Sequence, residues 1–62
     1  MADRFDIRPD AEAWEVCDRR GVFSIRDARR VRGNLRIEAA DELAYEMSRD
    51  PEMAAAILAS RD

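Results

Sequence analysis

Hydrophobic and charged residues alternate in the N-terminal third of the chain, with the period of two that is typical of a β-strand. This alternation predicts strands over residues 4–8 and 13–18, joined as a hairpin around residues 9–12, and a third strand over residues 22–26. The six large apolar side chains of these strands would then share one face of an antiparallel sheet. They are Phe5, Ile7, Trp14, Val16, Phe23 and Ile25.

A helical interpretation of the same stretch also fits the local signals. Asp10 is suited to cap a helix over residues 11–20, and Ser24 with Asp27 has the spacing of a capping box that would open a helix over residues 24–32. Local signals alone do not decide between strand and helix for either stretch. We favour the strands because they give all six large apolar residues one buried face.

The C-terminal half has the spacing of an amphipathic α-helix. Its apolar residues recur every three or four positions, which predicts a helix over residues 36–49. Asp50 and Pro51 then end this helix and begin another over residues 51–60, since Asp is a preferred N-cap and Pro fits the first helical turn. The sequence therefore predicts a single α+β domain over residues 1–62. In it, a two- or three-stranded antiparallel sheet is covered by the longer helix, with the short terminal helix beside it; the alternative is an all-α arrangement of four short helices.

Three segments of the chain carry a resemblance to other proteins. They are residues 5–10 (FDIRPD), 14–18 (WEVCD) and 35–44 (LRIEAADELA). This combination, which spans most of residues 4–47, resembles a group of short, uncharacterised proteins of alphaproteobacteria with a Phe-x-Ile…Trp-x-Val-x-Asp hairpin and an Ala-Asp-x-Leu-Ala helix. The chain departs from that pattern at Cys17, where an aromatic residue is usual, and at Arg29 to Arg32, which replace a less charged stretch. The resemblance favours the strand interpretation and implies no function.

The side-chain chemistry of the sequence argues against an enzyme. The chain has no histidine and no lysine, so the commonest general base and any lysine-based mechanism are missing. We expect Cys17, the single cysteine, to be a core or interface residue, because no imidazole is present to lower its pKa. Neither the ligand spacing of a zinc site nor a glycine-rich phosphate loop occurs. We therefore predict a non-enzymatic protein without a metal or cofactor.

Several features are typical of a soluble, cytoplasmic protein. One cysteine cannot form an internal disulfide, the N-terminal residues lack the layout of a signal peptide, and no apolar run approaches the roughly 18 residues of a membrane span. We expect no membrane partner. Because a chain of 62 residues buries little surface, a homodimer or another protein could supply additional burial.

Charge is segregated along the chain, whose net charge is −3. Residues 1–18 carry two arginines and six acidic residues, residues 19–36 carry seven arginines and one aspartate, and residues 37–62 carry two arginines and seven acidic residues. The basic middle suggests a nucleic-acid-binding patch, although acidic ends would repel phosphates and could instead neutralise the arginines. The candidate patch is Arg26, Arg29, Arg30, Arg32 and Arg36.

The acidic side of the predicted 36–49 helix is the preferred candidate for a partner-binding surface, because it combines carboxylates with an aromatic side chain. Its residues are Glu38, Asp41, Glu42, Tyr45 and Glu46. The predicted function is that of a small protein–protein interaction module, an adaptor or an inhibitor of a larger assembly. Its size and acidity are similar to those of phage-encoded inhibitors such as anti-CRISPR proteins. The alternative is an arginine-mediated nucleic-acid-binding regulator. The sequence does not identify the partner, the pathway or the oligomeric state.

Overall fold

A computed structural model describes residues 4–60, which form a three-stranded antiparallel sheet and two α-helices. The strands follow one another in the order β1-β2-β3, so the sheet is a meander with β2 in the centre. The predicted α+β class is confirmed, and the all-α alternative is wrong. In chain order the elements are β1 (Phe5–Asp10), β2 (Ala13–Asp18), a 3₁₀ turn (Ile25–Asp27), β3 (Arg29–Leu35), α1 (Ile37–Arg49) and α2 (Pro51–Ala59).

The predicted hairpin is confirmed, and β1 runs two residues further than the alternation indicated. Arg8 pairs with Glu15 and Asp10 with Ala13, so a loop of two residues joins the strands. The first loop residue, Ala11, has a backbone φ of 55°. This left-handed conformation is one that glycine adopts more readily than alanine.

The third strand lies further along the chain than predicted. Residues 22–26 do not form the predicted strand. The alternative helix over residues 24–32 does not form either, because a single 3₁₀ turn and the start of β3 occupy this stretch. Trp14 pairs with Leu35, Val16 with Arg32 and Cys17 with Arg30, and the two register shifts between these pairs each add one residue to β3. Such bulges break the period of two, which is why alternation did not locate this strand.

Both predicted helices are confirmed to within one residue at each end. Asp50 caps α2 through its side chain, which accepts hydrogen bonds from the backbone N–H groups of Glu52 (3.1 Å) and Met53 (3.2 Å), and Pro51 occupies the first turn. Within residues 4–60, no helix is long and apolar enough to cross a membrane.

The hydrophobic core lies between the sheet and the helices, with α1 packed mainly on β1 and β2. Trp14 packs against this core and is half-buried. Two predicted members of the apolar face are missing from it: Phe23 is almost fully exposed, and Ile25 lies in the 3₁₀ turn outside the core cluster. The buried core residues are Phe5, Val16, Val31, Ala40, Ala44, Met47 and Ala54.

Candidate functional site

The residues predicted to bind a partner lie on the more exposed side of α1. Four of the five are exposed, and Glu46 is half-buried. Tyr45 is the aromatic member and keeps 59% of its surface exposed. Arg49 lies one helical turn further on, with its Cζ 5.2 Å from the centre of the Tyr45 ring. We call this surface the acidic helix face: Glu38, Asp41, Glu42, Tyr45 and Glu46.

Asp6 on β1 extends the acidic helix face in a way that the sequence analysis missed. A cavity of about 110 Å³ between β1 and α1 is lined by Phe5, Asp6, Asp41, Ala44 and Tyr45. Asp6 and Asp41 meet there only because α1 packs on β1, so no local pattern could have paired them. The Asp6 carboxylate also accepts a hydrogen bond from the Ile7 N–H at 2.8 Å and forms an ion pair with Arg19 at 3.3 Å.

The residues of the candidate basic patch are distributed over the 3₁₀ turn, β3 and the residue before α1. All five arginines are exposed, but Arg26 lies in the 3₁₀ turn and Arg36 directly precedes α1. Within residues 4–60, Arg30 is the one member of the patch that forms ion pairs, at 3.8 Å from Asp10 and 3.9 Å from Glu15. The expected neutralisation by the chain's own acids therefore holds for Arg30.

A second cavity, of about 260 Å³, brings arginines together at the ends of β2 and β3. It is lined by Arg4, Asp18, Arg20, Arg29 and Leu58, and we call it the arginine cavity. Within the arginine cavity, Arg4 and Asp18 form a bidentate ion pair, with both N···O distances at 2.9 Å. The donated hydrogen bonds from Arg4, together with that from the Arg20 backbone, hold the pKa of Asp18 below its usual value, although burial opposes this effect.

The loop over residues 19–28 is held against the back of the sheet, on the side opposite the helices. Arg8 Nη1 donates to the carbonyl oxygens of Ile25 (2.8 Å), Arg26 (3.0 Å) and Ala28 (3.2 Å). Arg19 Nη2 donates to the Phe23 carbonyl at 2.7 Å. These bonds fix the backbone at Phe23 and in the residues that follow it, while the Phe23 side chain is 99% exposed.

Phe23 is the functional candidate that sequence analysis assigned wrongly. Its place in the short apolar run of residues 22–25 indicated a strand. The flanking Gly21, which has a φ of 82°, and Ser24, which accepts a hydrogen bond from the Arg26 N–H at 3.2 Å, are the local signals for a turn. They could have identified Phe23 as a loop residue.

Cys17 lies on the back of the sheet, in a polar layer that is shielded from solvent. Its side chain is fully buried, as expected for a core cysteine, and burial raises the pKa of its thiol. A buried thiol with a raised pKa is a poor nucleophile. Within residues 4–60, no group of three or more cysteine or acidic side chains is arranged to hold a metal ion.

Comparison of the chain with protein-family models, with curated proteins and with solved structures finds no match.

Proposed function

We propose that this protein is a non-enzymatic interaction module that binds a basic protein surface through the acidic helix face, as an adaptor or inhibitor of a larger assembly. The observation that carries the proposal is the exposure of Tyr45 among carboxylates on one helix. A tyrosine offers a rigid apolar ring with a polar tip, and it is enriched among residues that dominate binding energy. At 59% exposed, its ring has surface left to bury against a partner.

The cavity beside Tyr45 supports a basic partner. Two acidic residues, Asp6 and Asp41, and Tyr45 line a space of about 110 Å³. The head group of an arginine or lysine side chain has the complementary charge, and it can also interact with an aromatic ring. The Asp6 carboxylate already pairs with Arg19 at 3.3 Å, so Asp41 supplies the carboxylate of this cavity that has no ion pair within residues 4–60.

The lack of a histidine base and of an accessible thiol supports a binding role. The chain contains no histidine, and its one thiol is buried with a raised pKa. The acidic helix face instead carries exposed charges. At a protein interface, charges on the solvent-accessible rim mainly govern the rate of association and its dependence on salt.

The test compares charge-reversed variants as baits in affinity purification from the native host. Glu42→Lys with Glu46→Lys reverses two charges on the acidic helix face. Glu12→Lys with Glu52→Lys makes the same change in net charge at two exposed sites outside that face. We expect the wild type and the second variant to retain the same partner and the first variant to lose it.

The association rate with the captured partner then provides the quantitative check. Electrostatic steering makes this rate fall as salt increases, and the E42K/E46K variant should associate more slowly and lose most of that dependence. Tyr45→Ala should mainly accelerate dissociation. Equal retention of the partner by both charge-reversed variants would place the interface outside the acidic helix face.

A further inference from the structure

Asp18, the last residue of β2, brings three arginines together at the arginine cavity. Its carboxylate accepts hydrogen bonds from Arg4 Nε and Nη2, both at 2.9 Å, and from the backbone N–H of Arg20 at 3.0 Å. Arg29, the first residue of β3, pairs with Asp18 across the sheet. Three separate parts of the chain thus contribute an arginine to the lining of one cavity, and Leu58 of α2 completes that lining.

The arginine cavity carries more positive charge than its own carboxylate can neutralise. Asp18 offsets the charge of Arg4, with which it forms the bidentate ion pair. Arg20 and Arg29 form no ion pair with a carboxylate of residues 4–60, and both residues are exposed. The lining residues of the cavity therefore have an excess of two positive charges.

A phosphate monoester matches this excess in charge and in geometry. It carries a charge of about −1.5 to −2 at neutral pH, whereas a carboxylate or a phosphodiester carries a single negative charge. Each guanidinium presents five N–H donors in a planar fork that suits the oxygens of a phosphate. Arg20 and Arg29 together can therefore bind and neutralise one such group.

We propose that the arginine cavity is a binding site for a phosphate monoester group, which Arg20 and Arg29 hold. Arg4 stays paired with Asp18 and keeps that carboxylate neutralised beside the bound phosphate. Leu58, the apolar member of the lining, contacts the carbon atoms that carry the phosphate. The site is separate from the acidic helix face, and the inference does not depend on the proposed function.

The size of the cavity limits how much of a ligand it encloses. Its volume of about 260 Å³ lies below the range of roughly 300–1,000 Å³ that is typical of small-molecule pockets. The cavity therefore has room for a phosphate and the atoms next to it, while the rest of the ligand lies outside. A phosphorylated side chain of another protein and a small molecule such as a nucleotide both carry this group.

The first test compares phenyl phosphate with phenyl sulfate, two ligands of similar shape whose charges differ by about one above neutral pH. Isothermal titration calorimetry should show that the protein binds phenyl phosphate at least about tenfold more tightly, because two charge-assisted contacts depend on the second negative charge. The affinity for phenyl phosphate should fall as the pH drops below the second pKa of the phosphate, about 6. Equal affinities for the two ligands would overturn the proposal.

The charged side chains of the cavity do not titrate in this pH range. They are those of Arg4, Arg20 and Arg29, which stay protonated, and of Asp18, whose pKa the hydrogen bonds from Arg4 hold below its usual value. The chain also contains no histidine. A fall in affinity near pH ~6 therefore reports the charge of the ligand, and an affinity that stays constant through this range would contradict the proposal.

The second test removes the two arginines. Arg20→Gln with Arg29→Gln should weaken phenyl phosphate binding about tenfold or more, because hydrogen bonds between charged groups are lost. The matched control is Arg26→Gln with Arg36→Gln, which makes the same change in net charge at two exposed residues that do not line the cavity. The control should bind nearly as the wild type does, and both variants should keep its circular dichroism spectrum. Equal losses in the two variants would overturn the site.

Two further ligands identify the source of the phosphate group. A phosphoserine peptide presents it on a polypeptide, and adenosine monophosphate presents it on a small molecule. We expect one of them to bind more tightly than inorganic phosphate, to lose that advantage in the R20Q/R29Q variant and to shift the amide NMR signals of Asp18, Arg20, Arg29 and Leu58. The proposal is overturned if neither ligand exceeds inorganic phosphate, if binding survives in R20Q/R29Q, or if the shifts map to α1 instead.

Discussion

Arg8 and Glu15 face each other across the β1–β2 hairpin and form an ion pair on the back of the sheet. Arg8 Nε and Nη2 donate to Glu15 Oε2 at 3.2 and 3.0 Å. The Glu15 side chain is 6% exposed and that of Arg8 is 22% exposed. Because Arg8 Nη1 also donates to three carbonyl groups of the 19–28 loop, a single side chain connects the hairpin to that loop.

Replacing Arg8 should therefore destabilise the protein strongly. Arg8→Ala leaves a buried carboxylate without its nearest partner, and breaking such a pair costs about 3–5 kcal/mol. Arg8→Lys keeps the charge but lacks the planar fork that serves the carboxylate and the carbonyl groups together, so it should recover only part of the loss. Urea unfolding measures the free energies, and amide exchange at residues 25–28 reports release of the loop.

A double-mutant cycle provides the control for this prediction. Glu15→Gln removes the buried charge, so Arg8→Ala should cost clearly less in that background than in the wild type. Equal costs in the two backgrounds would show that Arg8 acts through the loop carbonyl groups alone.

The Arg4–Asp18 ion pair should make stability depend on pH in the acid range. The hydrogen bonds from Arg4 lower the pKa of Asp18 in the folded state. Its contribution is therefore present above the unfolded pKa of about 3.9 and is lost as the pH falls through the lower folded value. Asp18→Asn should reduce stability by about 1–2 kcal/mol at neutral pH, and the difference should shrink towards zero in acid.

Urea unfolding at several pH values between neutrality and strong acid checks this prediction. Asp41→Asn, which removes an exposed carboxylate on α1, is the matched control and should change stability little. A deficit for D18N that stays constant down to strong acid would mean that the ion pair contributes nothing through its charge.

Cys17 should limit stability at alkaline pH. Burial raises the pKa of its thiol, so its stabilising effect is complete below the unfolded pKa of about 8.5 and is lost as the pH rises through the higher folded value. Cys17→Ala should lower stability by about 1 kcal/mol near neutrality through lost packing and remove this part of the alkaline decline. Cys17→Ser should be worse at neutrality because its buried hydroxyl has to find a hydrogen-bond partner.

Thiol labelling under native conditions gives an independent measure. A disulfide reagent should react with Cys17 only as fast as the protein opens, since the side chain is fully buried. Rapid labelling of the folded protein, or an alkaline decline that persists in the C17A variant, would contradict this assignment.

Sequence pattern located the elements whose signals are local. The alternation at Phe5 and Ile7 identified the hairpin, and the cap formed by Asp50 identified the start of α2. The sequence pattern failed where contacts between residues far apart in the chain decide the structure. The apolar run containing Phe23 is a braced loop because Arg8, far away in the sequence, binds the carbonyl groups that follow it.

The candidate surfaces also differ in whether local sequence signals predict them. The acidic helix face follows from helical spacing alone, so its residues could be predicted to lie together on α1. The arginine cavity could not be predicted, since Arg4, Arg29 and Leu58 come from three separate parts of the chain. Asp6 joins Asp41 beside Tyr45 for the same reason: tertiary packing brings β1 to α1.

The hairpin loop offers a stabilising substitution. Ala11 has a φ of 55°, and in two-residue hairpin loops the first position with positive φ favours glycine. Ala11→Gly removes about 1–2 kcal/mol of steric strain and adds about 0.5–1 kcal/mol of unfolded-state entropy, so stability should rise by roughly 0.5–1 kcal/mol. Thermal unfolding should show this as an increase in Tm of about 2–8 °C.

Gly21 provides the matched control of opposite sign for the Ala11→Gly prediction. It has a φ of 82°, and a Cβ added there would meet no other atom within 4 Å, so Gly21→Ala tests backbone strain without a steric clash. We expect G21A to lower stability by about as much as A11G raises it, because the two substitutions exchange the same pair of residues at positive φ. A rise in Tm for both variants would show that the left-handed backbone conformation is not the cause of their effect. A fall for both would show that Ala11 carries no strain that glycine relieves.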